Sequence, residues 1–235
     1  NYQITHKESG KAMAKLDQII ANVLAVRLIS SVDAGLSKQI NMPQEHRSLG
    51  LLTCDIDDAC YVAIDEATKM ADVEVIYAKS FYAGSAHASG KLSGEIIAML
   101  SGPTPGEVEA GLNAAIQYIK NEAIWYSAND DNTITFFPHL ISRTGTYLSK
   151  VAGINPGESL AYLIAPPLEA NYALDLALKR ANVEIKTWFA PPSETNFSGG
   201  LLTGTQAACK AACDAFQEAV LEVADYPIRY KLHVK

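Results

Sequence analysis

The chain has 235 residues with 26 acidic and 19 basic side chains, a net charge of −7 at pH 7. Hydrophobic residues make up 49% and charged ones only 19%, which excludes a disordered chain, because that much apolar surface collapses. The acidic balance, without a basic run, argues against nucleic acid, whose phosphates require clustered Lys and Arg. No apolar stretch reaches the ~18 residues needed to span a bilayer, and no charged-then-apolar leader opens the chain, so the expectation is a soluble cytosolic protein.

In chain order, Val23–Ser31 and Leu49–Asp55 are β-branched or leucine-rich runs of strand length. Asp58 is placed to cap a helix in which Ala59, Ala63, Ala67 and Met70 recur every three or four residues. Strands are predicted at Val73–Ala78 and Glu95–Leu100. Thr104-Pro105-Gly106-Glu107 then opens a helix with Thr at the N-cap, Pro at N1 and Glu at N3, continued by the stripe Val108, Leu112, Ile116 and Ile119. The polar run Asn129-Asp130-Asp131-Asn132 interrupts the apolar pattern. Further strands are expected at Thr135–Ser142, Leu160–Ala165, Val183–Phe189 and Leu201–Thr203, followed by a helix through Cys209, Ala212, Phe216 and Val220. Ser80–Gly94 and Ala190–Gly200 read as long glycine-containing loops. The four cysteines, Cys54, Cys60, Cys209 and Cys213, form no CxxC pair; Cys209 and Cys213 share a helix face and read as small apolar fillers in a reducing compartment.

The second half repeats the first. Leu28-Ile29-Ser30 and Leu36-Ser37-Lys38 recur as Leu140-Ile141-Ser142 and Leu148-Ser149-Lys150, an offset of 112. Ser48-Leu49 recurs as Ser159-Leu160, an offset of 111. Ala63, Asp65, Ala67, Lys69, Ala71, Val73 and Glu74 recur as Ala173, Asp175, Ala177, Lys179, Ala181, Val183 and Glu184, an offset of 110. Three segments in the same order with slowly drifting offsets mark a tandem duplication. Each half is then a small mixed sheet with helices packed on it, an α/β (α+β) unit.

The leucine-glycine strand, the helix ending D-x-A-x-K-x-A-x-V-E and the strand G-E-I-I-x-x-L-x-G resemble the shell domain of bacterial microcompartments. Arg47-Ser48-Leu49-Gly50-Leu51, Asp65-Glu66-Ala67-Thr68-Lys69, Tyr82-Ala83-Gly84, Ser142-Arg143-Thr144-Gly145, Ala165-Pro166-Pro167-Leu168-Glu169-Ala170 and Pro191-Pro192-Ser193-Glu194-Thr195-Asn196 are similar to the L-type shell proteins of the ethanolamine-utilisation microcompartment. The resemblance spans about Leu24 to Pro227 and implies two circularly permuted shell domains, 18–125 and 126–230. It further implies a homotrimer whose six domains form a pseudo-hexameric plate with a gated pore, tiling edge to edge with other shell proteins and without catalytic activity.

The site residues follow from the same resemblance. An acidic pocket for ethanolamine falls on Asp57 and Glu95, with Trp125 beside them and Asp55 and Asp58 as alternates. An ammonium suits a carboxylate pair and an aromatic face. The pore loops carry Tyr82, Gly84, His87, Asn196 and Phe197, and Lys69 and Lys179 fall on the tile edge. No cofactor is required. Three copies of His87 converging on an axis could hold zinc, and the family also implies a cobalamin ligand, for which no motif is legible. No catalytic motif is present. The competing reading is a sensor of a small cationic ligand, or a small-metabolite enzyme, working through Asp55, Asp57, Asp58 and Glu95.

Overall fold

The computed structural model describes residues 14–81, 95–191 and 197–229. Its elements run β1 (Gln18–Ile20), β2 (Val23–Ile29), α1 (Ala34–Gln39), β3 (Ser48–Cys54), α2 (Asp57–Met70), β4 (Glu74–Phe81), β5 (Glu95–Gly102) and α3 (Pro105–Asn121). They continue with β6 (Ile124–Ser127), β7 (Thr135–Ile141), α4 (Thr146–Ala152), β8 (Ser159–Ala165), α5 (Pro167–Arg180), β9 (Val183–Phe189), β10 (Ser198–Gly204) and α6 (Gln206–Asp225). The seven elements from β2 to α3 recur in order from β7 to α6, so the duplication read from the sequence is one of structure.

Every strand pairing is antiparallel. The first repeat forms a sheet ordered β2-β3-β5-β4, and the second a sheet ordered β1-β6-β7-β8-β10-β9. Helices α2 and α3 pack together on the first sheet, α5 and α6 on the second. β6 runs across the expected domain junction at 125/126, pairing with β1 on one side and β7 on the other.

The helix starts obey local chemistry. Thr104 Oγ1 accepts from the Glu107 amide at 3.2 Å, as its N-cap position requires. Glu107 does not close a capping box; its carboxylate instead takes the Asp72 amide at 2.8 Å and so fastens the α2–β4 turn. Helix α2 is capped at Ile56 rather than by an aspartate, and Asp57 and Asp58 occupy its first turn, where the helix dipole favours negative charge. α1 and α4, six and seven residues long, escape periodicity because neither completes two turns.

The two expected loops are shorter than their sequences suggest. β4 extends to Phe81, and β10 begins at Ser198. Gly199 and Gly200 are therefore strand residues, not loop hinges. A Cβ at Gly199 would lie 1.9 Å from the Leu163 carbonyl oxygen, so only glycine lets β8 come this close.

One apolar cluster fills the second repeat between α5, α6 and its sheet. The other fills the first repeat but continues across into the second, taking in Phe137, Ile141, Leu148, Tyr162 and Ile164. The repeats thus share a core, and the surfaces that meet are α2 with β4 on one side and β7, β8 and α4 on the other.

Candidate functional site

A cavity of about 330 Å³ lies where the repeats meet, and it is lined by Asp57, Asp58, Tyr61 and Ser80 from the first and by Tyr147, Leu148, Tyr162, Phe189 and Phe197 from the second. Its floor is the first turn of α2. Ser80 donates to Asp57 Oδ2 at 2.6 Å, and the Tyr61 hydroxyl lies 2.7 Å from Ser80 Oγ. Because Ser80 Oγ gives its proton to Asp57, Tyr61 supplies the other bond, and the three groups form a relay ending on a carboxylate. Tyr162 reaches across from β8 and donates to Asp58 Oδ1 at 2.6 Å. The walls are aromatic: Tyr61 and Tyr147 stack at 6.1 Å, and Tyr162 lies 5.9 Å from Phe189.

Asp58 is buried, and that burial, followed by the charge of Asp57, lifts its carboxyl well above the usual range against the opposing pull of the Tyr162 hydroxyl. Tyr162 is raised too, by burial and then by Asp58. Burial and the neighbouring Asp57 charge thus both favour the neutral form of Asp58.

The residues singled out from the sequence divide into three groups. Asp57, Asp58 and Phe197 line the cavity. Trp125 stands behind it, buried, stacked on Phe137 at 5.4 Å and edge-on to Phe197 at 5.3 Å; its indole N–H has no hydrogen-bond partner among the described residues. Asp55 does not line the cavity: it accepts from the Asn22 amide at 2.6 Å and the Asn22 side chain at 2.8 Å, holding the start of β2. Glu95 opens β5 opposite Phe81, and its side chain lies outside the described residues. Tyr82, Gly84, His87 and Asn196 also fall outside them. Among the described residues, no cluster of His, Cys, Asp and Glu is placed to hold a metal, and no helix is long and apolar enough to cross a membrane.

Lys69, expected at an outer edge, reaches across the repeat junction: it donates to the Arg143 carbonyl at 2.9 Å and pairs with Glu66. Among the described residues, Lys179 pairs only within its own helix, with Asp175 at 2.6 Å. Cys209 and Cys213 are buried, and burial pushes the Cys213 thiol up to about 12, the behaviour of inert packing residues.

The sequence did not single out Tyr61, Ser80, Tyr147, Tyr162 or Phe189. A signal for them exists in the duplication itself, since each occupies a position where the repeats disagree: Tyr61 against Asn171, Ser80 against Ala190, Tyr147 against Gly35, Tyr162 against Leu51 and Phe189 against Lys79.

A profile of the BMC domain matches residues 48–128. The chain is 56% identical to the bacterial microcompartment shell protein EutL of Clostridium perfringens (strain 13 / Type A) over 216 residues, covering 92% of this chain and all of that protein. It is 53% identical to the EutL of Escherichia coli (strain K12), covering 92% of this chain and 99% of that one. The chain belongs to the EutL family of bacterial microcompartment shell proteins. The crystal structure of ethanolamine utilization protein EutL from Leptotrichia buccalis C-1013-b superposes with a TM-score of 0.87 at 64% identity, over 92% of this chain and all of that one.

Membership of the EutL family sets the class of function. These relatives are structural shell proteins, so the chain is a component of a microcompartment shell and not an enzyme, and the small-metabolite enzyme reading of the acidic cluster falls. The EutL fold also accounts for the permuted, duplicated order of its elements.

Proposed function

We propose that this chain is a tile of the shell around an ethanolamine-utilising microcompartment in the cytoplasm. Three copies form a plate with a central pore, and the cavity between the repeats takes ethanolamine or a similar small ammonium ion. The observation that carries the ligand reading is the cavity's composition. Two carboxylates on a helix N-terminus lie under tyrosine and phenylalanine walls, in a space at the small end of the range for ligand sites. An ammonium there meets Asp57 directly and the aromatic faces around it, and its charge offsets the burial and the repulsion from Asp57 that raise the Asp58 carboxyl. The ligand touches both repeats at once, together with Phe197 at the edge of the second pore segment, so its binding energy bears on their relative position and on the pore.

Calorimetric titration of ethanolamine tests this. Saturable binding at one site per chain is expected for the parent protein, weakened at least tenfold in Asp57→Asn. No heat with the parent, or an unchanged affinity in the variant, would refute the assignment of the cavity while leaving the shell role intact.

A further inference from the structure

The cavity between the repeats has two halves of different chemistry. Asp57, Asp58, Tyr61 and Ser80, all from the first repeat, make its polar floor. Leu148, Val151, Ile164, Phe189, Phe197 and Leu201, all from the second, make a wall without a polar side-chain atom. Leu148, Ile164 and Leu201 are buried, whereas Val151 is 43% exposed and borders both the cavity and solvent. The duplication sets part of this wall apart from the shared pattern: Val151 stands against Gln39, Ile164 against Thr53 and Phe189 against Lys79. Where the first repeat is polar the second is apolar, and these positions meet around one space.

Ethanolamine uses little of that wall. Its four non-hydrogen atoms, at roughly 30 Å³ each (the share of a water molecule in the liquid), fill about 120 Å³. The cavity holds about 330 Å³. With an ammonium at Asp57, space remains for roughly seven more atoms of ligand. The surface around that space attracts only apolar groups, since it has nothing to offer a polar one.

We infer that the wall is a second subsite, and that the cavity binds primary amines with an apolar body of about six to eight carbon atoms more tightly than ethanolamine itself. The inference rests on the reading above that an ammonium ion meets Asp57. The hydrogen bonds of the floor explain why the amine is primary. Three of the four hydroxyl groups on the lining already direct their hydrogens within the protein. Ser80 donates to Asp57 at 2.6 Å, Tyr61 to Ser80 at 2.7 Å and Tyr162 to Asp58 at 2.6 Å. A ligand therefore meets accepting oxygens, and these reward N–H groups. A quaternary ammonium would find the aromatic faces but bring no hydrogen to the carboxylate. A neutral alcohol would find the wall but bring no charge to Asp57.

Calorimetric titration of the parent protein with ethanolamine, ethylamine, butylamine and hexylamine at neutral pH tests the subsite. Each added methylene is expected to tighten binding by up to about fourfold, the gain from burying one CH2, and hexylamine should bind at least about tenfold more tightly than ethanolamine. Hexyltrimethylammonium and hexan-1-ol should each bind at least about tenfold more weakly than hexylamine. Val151→Ser, at a position that borders solvent, should weaken hexylamine about threefold and leave ethylamine unchanged, whereas Asp57→Asn should weaken both. Intact ethanolamine binding with no gain along the amine series overturns the subsite and leaves the proposed function standing. A trimethylammonium or an alcohol that matches hexylamine overturns the primary-amine class. Hexylamine binding that Asp57→Asn does not touch places the amine elsewhere and overturns the inference too. No heat from ethanolamine or from any amine overturns the ammonium reading of the cavity, and the subsite falls with it.

Discussion

Helices α2 and α5 descend from one pattern and end in different surroundings. Both keep an aspartate and a lysine four residues apart, as Asp65 with Lys69 and Asp175 with Lys179. In α5 the two bond to each other in solvent, an exposed i,i+4 pair of the kind worth a few tenths of a kcal/mol. In α2 they part company. Asp65 turns to the bare N-terminus of α4, Lys69 turns to the Arg143 carbonyl, and Thr68 accepts the Thr146 amide at 3.0 Å. The same residue types thus serve as surface charge in one repeat and as a bolt between repeats in the other. The difference lies in what stands opposite, not in the helices.

The bolt depends most on the residue it has no room for. A Cβ at Gly145 would lie 2.2 Å from Thr68 Oγ1 and 2.4 Å from the Asp65 carbonyl oxygen, so α4 approaches α2 only because nothing is there. Gly145→Ala is expected to cost about 4 kcal/mol by urea unfolding, since both obstacles belong to the packed junction. The equivalent change in the first repeat, Asp33→Ala, removes only an exposed cap and should cost about 1 kcal/mol. Similar losses at the two positions would show that the junction yields easily and that the repeats are not held in one register.

The next difference in size lies between the aspartates. Asp65→Ala leaves two amides at the start of α4 without an acceptor in a buried site, an expected loss of about 3 kcal/mol. Asp175→Ala should change stability by less than about 0.5 kcal/mol, because among the described residues its exposed carboxylate serves only Lys179. If Asp175→Ala also weakened the protein by several kcal/mol, the contrast between bolt and surface charge would be gone.

The same contrast explains what could be seen in the sequence. Strands, long helices and the duplication were legible because alternation, helical periodicity and the Thr104-Pro105 start signal act within a few residues. Half of the cavity was not, because it is assembled across an offset of about a hundred residues, as in Tyr162 with Asp58. Its tyrosines look like ordinary strand and helix residues until the repeats are aligned, when each appears as a departure from its counterpart. Gly199 and Gly200 misled for a related reason. Glycine marks both a hinge and a close approach, and only the neighbouring Leu163 carbonyl distinguishes them.

The smallest effect expected is also the most easily hidden, because two groups at the junction titrate in opposition. His139 on β7 is packed against Phe137 and bonded to the Tyr118 hydroxyl at 2.9 Å, and burial, helped by the charge of Lys69, lowers it from 6.5 to about 4. The unfolded imidazole takes its proton near 6.5 while the folded one refuses it, so this stability is present above 6.5 and drains away as pH falls toward 4, by about 3 kcal/mol in all. Asp58 runs the other way. Burial and Asp57 raise it, so its contribution is whole below the ordinary carboxylate range and fades as pH climbs from there toward the raised folded value; Asp65, also raised by burial, adds to the trend. Above the ordinary carboxylate range and below 6.5 the carboxylate and imidazole slopes oppose each other, so the parent's pH dependence is shallower than either kind of group alone would give. Removing one partner uncovers the other. Relative to the parent, Asp58→Asn should tilt the curve toward greater stability as pH rises to 6.5, and His139→Gln should tilt it the other way. Urea midpoints at half-unit pH steps for the three proteins decide it. A parent curve that neither substitution tilts would mean that water reaches both groups and that the repeat junction is not the dry contact its packing describes.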